Sequence, residues 1–266
     1  MPTPLFVSQN LYGVLSSDGF SLAPLGPPLR VLSNGLACHQ GSLYLSDWSD
    51  LLVLDPVSGA LRERLPTPAR NIHTLRFLKG RPLLASTADA RVFWGEELLF
   101  DPRDHDIPPA PPYGYYLNAA IPSPDGAEVL IGLRSHRAVL FLDLASRTLR
   151  TTVLLPFLRN LHHPTPYPHL SDEGLFLVSD DASVVLVDAE GHPLVRSPDI
   201  PWPRGILVEG RTRVWVASRR GLVRWNPIAN QIDRRIDSPL PPPSSLPERK
   251  EDNPAGALFD VATPSP

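Results

Sequence analysis

Six polar residues recur along the chain at a nearly constant spacing, and their side chains could form one ligand site. They are Asn34, His73, Asn118, His163, Arg204 and Asn253, separated in turn by 39, 45, 45, 41 and 49 residues. Imidazole nitrogens and amide oxygens suit a divalent ion such as Zn²⁺, Mn²⁺ or Ca²⁺, and we assign as its ligands Asn34, His73, Asn118 and His163. Arg204 could orient a carboxylate or phosphate of the substrate, or stabilise a developing oxyanion. Such a site would support metal-activated hydrolysis or a proton-transfer elimination, with His73, His163 and Arg204 as catalytic groups.

One histidine of this series lies in an unusual stretch, Asn160 to Gly174, with the sequence NLHHPTPYPHLSDEG. His162 and His163 are adjacent, and neighbouring residues of a regular strand point to opposite faces. At most one of the two would therefore face the ligand from a regular strand, and the spacing favours His163. We assign His162 as a substrate contact, and we expect His169 to be exposed on the opposite face.

A long loop, DPRDHDIPPAPPYGYY at 101–116, could supply further substrate contacts. His105 lies between two aspartates, and Tyr116 ends the loop close to the expected position of Asn118. Long loops of this kind are often functional, so we assign His105 and Tyr116 to substrate binding. The alternative is a solvated, proline-rich connector.

Short strands must position these residues, because the sequence shows almost no helical periodicity. Five apolar runs, SLYLSD, PLLAST, EVLIGL, LFLVSD and VWVASR, end in a small residue, at Ser46, Ser86, Gly132, Ser179 and Ser218. The intervals between these ends are 40, 46, 47 and 39 residues. A repeat of this length, with about four strands per unit, is typical of β-propeller blades. The innermost strand of each blade lines a central channel, so the six spaced residues would surround the channel entrance.

The sequence therefore predicts one all-β domain over 1–266, a six-bladed β-propeller with four-stranded antiparallel blades. Five blades are expected at about 29–67, 68–103, 114–156, 157–200 and 201–239. A closing blade would combine 4–25 with 255–263, because joining both termini in one blade removes exposed sheet edges. A proline-rich linker at 238–254 would precede the last strand.

Composition excludes several classes of function. The formal net charge of −3 gives no electrostatic reason to expect nucleic acid. No apolar run approaches the roughly 18 residues of a membrane span, and the N-terminus lacks the pattern of a signal peptide. Cys38 is the only cysteine, so no internal disulfide can form, and it is expected to be a small core residue. We therefore expect a cytoplasmic protein with a small-molecule ligand and with neither nucleic acid nor membrane as a partner.

The motifs NIHTL, YLNAAI, LHHPTP with DDASVVLVD, and PRGILVEGRTRVWVASRRGL resemble those of a group of uncharacterised bacterial propeller proteins. The resemblance covers about 71–222, departs at Thr74, where the group carries an acidic residue, and implies the fold without implying an activity. More distantly, the layout is similar to the gluconolactonase and strictosidine-synthase-like six-bladed propellers. That similarity implies a divalent metal on the axis and hydrolysis of lactones or esters, although the chain lacks their glutamate in the first inner strand.

Two functional hypotheses follow. The first is a metal-dependent hydrolase of lactonase or esterase type, or a lyase, that acts on a small polar metabolite at the axial site. The second is a non-catalytic scaffold or ligand-binding module, in which the polar ring only hydrogen-bonds water and a protein partner binds an exposed aromatic face. Convergence of the ring residues would favour the first hypothesis, and an exposed tryptophan surface would favour the second.

Overall fold

A computed structural model of the protein describes residues 6–8, 12–15, 22–24, 35–111, 114–167, 174–218, 220–237 and 260–262. For the three N-terminal segments and for 260–262 it describes the backbone pairing alone. The predicted linker at 238–254 and the predicted ring members Asn34 and Asn253 lie outside the described residues. His169 and Tyr113 also lie outside them.

The described residues contain 24 β-strands and one short 3₁₀ helix. The first strands are β1 (Phe6–Ser8), β2 (Tyr12–Leu15) and β3 (Leu22–Pro24). They are followed by β4 (Leu36–His39), β5 (Ser42–Asp47), β6 (Asp50–Leu54) and β7 (Leu61–Pro66). Next come β8 (Ile72–Leu78), β9 (Arg81–Ser86), β10 (Arg91–Trp94), β11 (Glu97–Phe100) and the helix Pro102–His105.

The second half of the chain repeats the same pattern. It contains β12 (Leu117–Pro122), β13 (Glu128–Leu133), β14 (Ala138–Asp143) and β15 (Leu149–Leu154). Then follow β16 (Pro164–Pro166), β17 (Phe176–Ser179), β18 (Val184–Val187) and β19 (Pro193–Arg196). The last strands are β20 (Ile206–Gly210), β21 (Arg213–Ser218), β22 (Gly221–Asn226), β23 (Gln231–Asp237) and β24 (Asp260–Ala262).

Five consecutive groups of four strands, from β4 to β23, each form an antiparallel sheet in chain order. The first strands of neighbouring sheets lie side by side, β4 beside β8, β8 beside β12, and β12 beside β16, so these strands are the innermost. The chain is thus an all-β propeller with four-stranded antiparallel blades, as the repeat predicts. Within the described part of the chain, no helix is long and apolar enough to cross a membrane.

In four of the five blades burial decreases from the middle strands to the outer strand, whereas the outer strand β11 of the second blade keeps Leu99 and Phe100 buried. In the first blade β6 is almost entirely buried, whereas β7, with the sequence LRERLP, is mostly exposed. The middle strands are continuously apolar because neighbouring blades cover both of their faces. Leu83 and Phe100 of the second blade, for example, share one core cluster with Val129 and Ile131 of the third. The hydrophobic core therefore lies between the blades.

In the first four blades the small residue at the end of the second strand lies against the entrance of a first strand, whereas Ser218 Oγ donates to the Gly221 carbonyl at the start of β22. Ser46 Oγ accepts a hydrogen bond from Gly35 N at 2.8 Å and donates one to the Ile72 carbonyl at 3.2 Å. At Gly132 a Cβ atom would lie 3.1 Å from Pro164 Cδ of the next blade, a distance that leaves little room for any side chain. These contacts are the physical reason for the repeated small residue.

A further four-stranded sheet joins the two ends of the chain, in the order β24, β1, β2 and β3. β24 pairs antiparallel with β1, and Val7 lies opposite Val261. The sequence predicts six blades, whereas the structure shows five, formed by β4 to β23.

Candidate functional site

The channel entrance is built from two kinds of segment, the start of each first strand and the turn between the second and third strands. Both lie at the same end of an antiparallel blade. The strand starts place His73, Asn118, His162 and Arg204 there, and the turns add Arg134 and Asp181. We call these six residues the entrance cluster.

His73 is the second residue of β8, at a point where the register with β9 shifts. Its ring is partly exposed and meets the Tyr116 ring edge-on, with centroids 6.4 Å apart. Burial, together with the charges of Arg204 and Arg134, lowers the pKa of His73 to about 4. The imidazole is therefore neutral at pH 7, and a ring nitrogen can accept a hydrogen bond or a proton.

His162 is buried, at 6% exposure, and both of its ring nitrogens have partners. Nε2 lies 3.3 Å from Asp181 Oδ1, and Nδ1 lies 3.4 Å from Asn118 Nδ2. Burial and the Arg204 charge lower the pKa of His162 to about 3, although the hydrogen bond to Asp181 opposes them. A neutral imidazole that donates from Nε2 and accepts at Nδ1 satisfies both partners. The hydrogen bond from His162 in turn lowers the pKa of Asp181 to about 2, so that carboxylate is ionised.

Asn118 is also buried, at 4% exposure, and its two amide atoms differ. Nδ2 donates to the Leu161 carbonyl at 3.1 Å and faces His162. Among the described residues, Oδ1 is buried and has no hydrogen-bond partner. Because a buried acceptor without a partner is costly, this oxygen is suited to receive a donor from a ligand.

Two guanidinium groups give the entrance its charge. Arg134 donates from Nε to Asn160 Oδ1 at 3.0 Å, and its guanidinium carbon lies 4.9 Å from the centre of the Tyr116 ring. The guanidinium carbon of Arg204 lies 3.5 Å from the centre of the Trp202 ring. Each guanidinium group therefore packs against an aromatic face. With the two histidines neutral, the entrance cluster has two positive charges and the single negative charge of Asp181, a balance that favours an oxyanion.

His163 lies apart from the entrance cluster and contacts Arg76, in strand β8 of the second blade. Its Nε2 is 3.3 Å from Arg76 Nη2, and its Nδ1 is 3.1 Å from Thr165 Oγ1. A guanidinium can only donate, so Nε2 accepts and Nδ1 carries the proton. The sequence favours His163 over His162 as the member of the ring, whereas the structure brings His162 together with Asn118. Leu161 to His163 precede β16, so the alternation of a regular strand does not apply to them. The predicted metal-binding and catalytic roles of His163 stay predictions.

Of the two substrate contacts predicted in the loop, Tyr116 lies beside the entrance cluster and His105 lies elsewhere. Tyr116 contacts both His73 and Arg134, so it belongs beside the entrance cluster. His105 stacks on Phe100 of the outer strand β11, with centroids 4.9 Å apart, and among the described residues no contact joins it to the cluster. Cys38 is half-buried rather than part of the core, and burial raises the pKa of its thiol to about 12, so the thiol stays protonated.

Arg134 and Asp181 are functional candidates that the sequence analysis missed. Each follows shortly after the small residue that ends a second strand, in LRSHRA and SDDASV. The same repeat that locates the strand starts also locates these turns at the channel entrance. The spacing of these turns was therefore the signal that could have identified them.

The donor set at the entrance does not favour a metal ion. Among the described residues, one group of potential ligands, Asp188, Glu190 and His192, brings its ligand atoms within 4.8 Å of one another. That group lies on the turn between β18 and β19 and has an exposed glutamate and histidine. At the entrance, the positive charges of Arg134 and Arg204 near His73 and His162 would repel a metal cation. The axial Zn²⁺, Mn²⁺ or Ca²⁺ stays a prediction.

Comparisons with known proteins show similarity in fold alone. No protein-family model matches the sequence, and no curated protein matches it. A Bacteroides caccae protein of unknown function is 13% identical, with a TM-score of 0.67 over 98% of each chain. The WD40 β-propeller domain of Doa1 is 12% identical, with a TM-score of 0.62 over 97% of this chain and 82% of the other. Streptogramin B lyase is 15% identical, with a TM-score of 0.56 over 79% of this chain and 70% of the other.

Proposed function

We propose that the protein binds a small metabolite through a carboxylate or phosphate group at the channel entrance, between Arg134 and Arg204. The charge pattern of the entrance cluster carries this proposal. Both guanidinium groups are close enough to His73 and His162 to lower the pKa of each histidine. Both groups are planar guanidinium donors, and an oxyanion would accept charge-assisted hydrogen bonds from them.

The other members of the cluster would fix the orientation of the ligand. Asn118 Oδ1 is buried, has no partner in the part of the chain that the structure describes, and could accept a hydrogen bond from a ligand hydroxyl or amine. His162 is hydrogen-bonded to Asp181, and its contact with Asn118 Nδ2 holds the Asn118 amide, and with it this acceptor, in place. His73 is partly exposed and would contact the ligand directly.

A hydrolase or lyase reaction at this site would use His73 as its acid–base group. A bound anion would offset the field of the two arginines, so the pKa of His73 would rise from its low value when the ligand binds. The imidazole would then take a proton from an attacking water, or from a carbon next to the ligand carboxylate. It would return that proton to the leaving group. This scheme proceeds without the predicted divalent metal.

A ligand-binding module without catalysis is the second candidate. It is supported by His162, because both of its ring nitrogens are already partnered and it is therefore a positioning residue. Both candidates require oxyanion binding, and turnover of the bound ligand would distinguish them. The cytoplasmic location, a protein partner and the absence of nucleic acid and membrane partners stay predictions.

We also infer that the terminal sheet closes the ring as a sixth blade. This inference is supported by the position of β24, which lies beside β4 of the first blade and beside β20 of the fifth. A closed ring would hold the segments of the entrance in fixed relative positions.

Calorimetric titration with inorganic phosphate tests the proposed function. We expect wild-type protein to bind phosphate, and Arg204→Gln to bind it about tenfold more weakly, since one charge-assisted contact is lost. Arg213→Gln is the matched control, because Arg213 is an exposed residue at the opposite end of the fifth blade. Equal phosphate affinity in both variants, or no binding by the wild type to phosphate or acetate, would overturn the proposal.

A further inference from the structure

A cavity of about 420 Å³ adjoins the entrance cluster, between the β9–β10 turn on one side and Arg103 and residues 114–116 on the other. Its polar lining consists of Asn71, Thr87, Asp89, Arg103, Tyr115 and Tyr116. On the basis of the proposed function, we propose that this cavity binds the hydroxyl-bearing part of the same ligand. The ligand would then be a small hydroxylated oxyanion, either a phosphate ester or a carboxylate.

The cavity and the entrance cluster share one side chain. Tyr116 lines the cavity, while its ring meets His73 edge-on and lies beneath the Arg134 guanidinium. Asn71, two residues before His73, also lines the cavity. A ligand with its anionic group at the two arginines would therefore extend past Tyr116 into this space.

The lining of the cavity favours neutral hydroxyl groups over a second anion. Asp89 Oδ2 accepts a hydrogen bond from Ser86 Oγ at 2.7 Å, and within the described part of the chain Asp89 Oδ1 has no partner. Thr87 Oγ1 donates to the Leu117 carbonyl at 2.7 Å, so its lone pairs can accept a hydrogen bond from the ligand. Both groups would accept from ligand hydroxyls, and the Asp89 carboxylate would repel a second anionic group.

The one guanidinium in the lining is already paired. Arg103 donates to both carboxylate oxygens of Asp101, from Nε at 2.6 Å and from Nη2 at 2.7 Å. Arg103 Nη2 also donates to the Asp89 carbonyl at 3.2 Å, and Asp101 is shared with Arg91 Nε at 2.8 Å. Because these contacts hold Arg103 against Asp101 and Asp89, the anion site of the proposal stays at Arg134 and Arg204. The volume of the cavity lies within the range of about 300–1,000 Å³ that is usual for small-molecule sites.

Calorimetry with a matched series of ligands tests this inference. The probes are inorganic phosphate, glycerol phosphate and sorbitol phosphate, with acetate and glycerate as the carboxylate series. We expect at least one hydroxylated probe to bind the wild type about tenfold or more tightly than the bare oxyanion of its series. The series in which this gain occurs would identify the oxyanion.

Two variants test whether the gain in affinity arises in the cavity. Ala88→Phe, at an exposed residue of the lining, should fill the cavity and abolish the gain while leaving phosphate affinity unchanged. Asp89→Asn should reduce the gain, because the amide accepts less strongly than the carboxylate. Ala145→Phe, at an exposed alanine of the β14–β15 turn, is the control and should bind as the wild type does.

The outcomes separate this inference from the proposed function. If phosphate binding depends on Arg204 but no hydroxylated probe gains affinity, the inference fails and the proposed function stands. A gain that persists in both Ala88→Phe and Asp89→Asn also overturns the inference. If no oxyanion binds, both proposals fail.

Discussion

Replacement of Arg76 by methionine is expected to lower the free energy of unfolding by about 3 kcal/mol. The Arg76 guanidinium joins three blades. From the second blade it donates through Nη1 to the Leu36 carbonyl of the first blade at 3.2 Å, and to its own neighbour Leu75 at 2.8 Å. Nη2 lies 3.3 Å from His163 Nε2, at the start of the fourth blade. Methionine would retain much of the volume and remove every one of these charge-assisted hydrogen bonds.

Urea unfolding followed by tryptophan fluorescence measures this effect. Arg70→Met is the matched control, since Arg70 is exposed just before β8, and this variant should remain within about 0.5 kcal/mol of the wild type. If Arg76→Met unfolds at the same urea concentration as Arg70→Met, the guanidinium does not hold the blades together.

Acidification from neutral pH to about pH 4.5 is expected to destabilise the wild type through its two low-pKa histidines. A histidine of the unfolded chain has a pKa of 6.5, whereas folding lowers the pKa of His73 to about 4 and that of His162 to about 3. Between these values the unfolded chain binds more protons than the folded protein, so stability falls as the pH falls. His73→Gln removes one of the two contributions. Over this pH interval the free energy of unfolding of His73→Gln should fall by about 2 kcal/mol less than that of the wild type.

The measurement is urea unfolding at a series of pH values, in piperazine buffer with chloride as the anion. Asp101 and Asp181 each have a pKa of about 2, so their stabilising contribution is lost only below the ordinary pKa of 3.8. The two aspartates therefore contribute little to the change in stability between neutral pH and about pH 4.5. His192→Gln, at an exposed turn residue, is the control and should follow the wild type. A parallel pH dependence in His73→Gln and the wild type would show that His73 has an ordinary pKa in the folded protein.

The blade repeat could be predicted from sequence because one packing constraint acts in each of the first four blades. A small residue is needed where the second strand meets the entrance of a first strand, as at Ser46 and Gly132. Once these ends are aligned, the starts of the first strands follow at the same interval. The sequence alone was therefore enough to place His73, Asn118 and Arg204 at the channel entrance.

Other parts of the site depend on geometry that the sequence pattern does not contain. The choice between His162 and His163 relied on strand alternation, but both residues precede β16. Arg76 occupies an ordinary position in β8, and its pattern gave no sign that its side chain reaches the fourth blade. Asn118 Oδ1 has no partner among the described residues because Leu161 and His162 hold the amide with its nitrogen towards them.

The most direct test of the account is an NMR titration of His73 in isotope-labelled protein, with and without saturating phosphate. We predict that His73 titrates at about 4 in the free protein and that phosphate raises this pKa, since an anion at Arg134 and Arg204 removes part of their opposing field. An unchanged pKa in phosphate, or a pKa near 6.5 in the free protein, would contradict an oxyanion site beside this histidine.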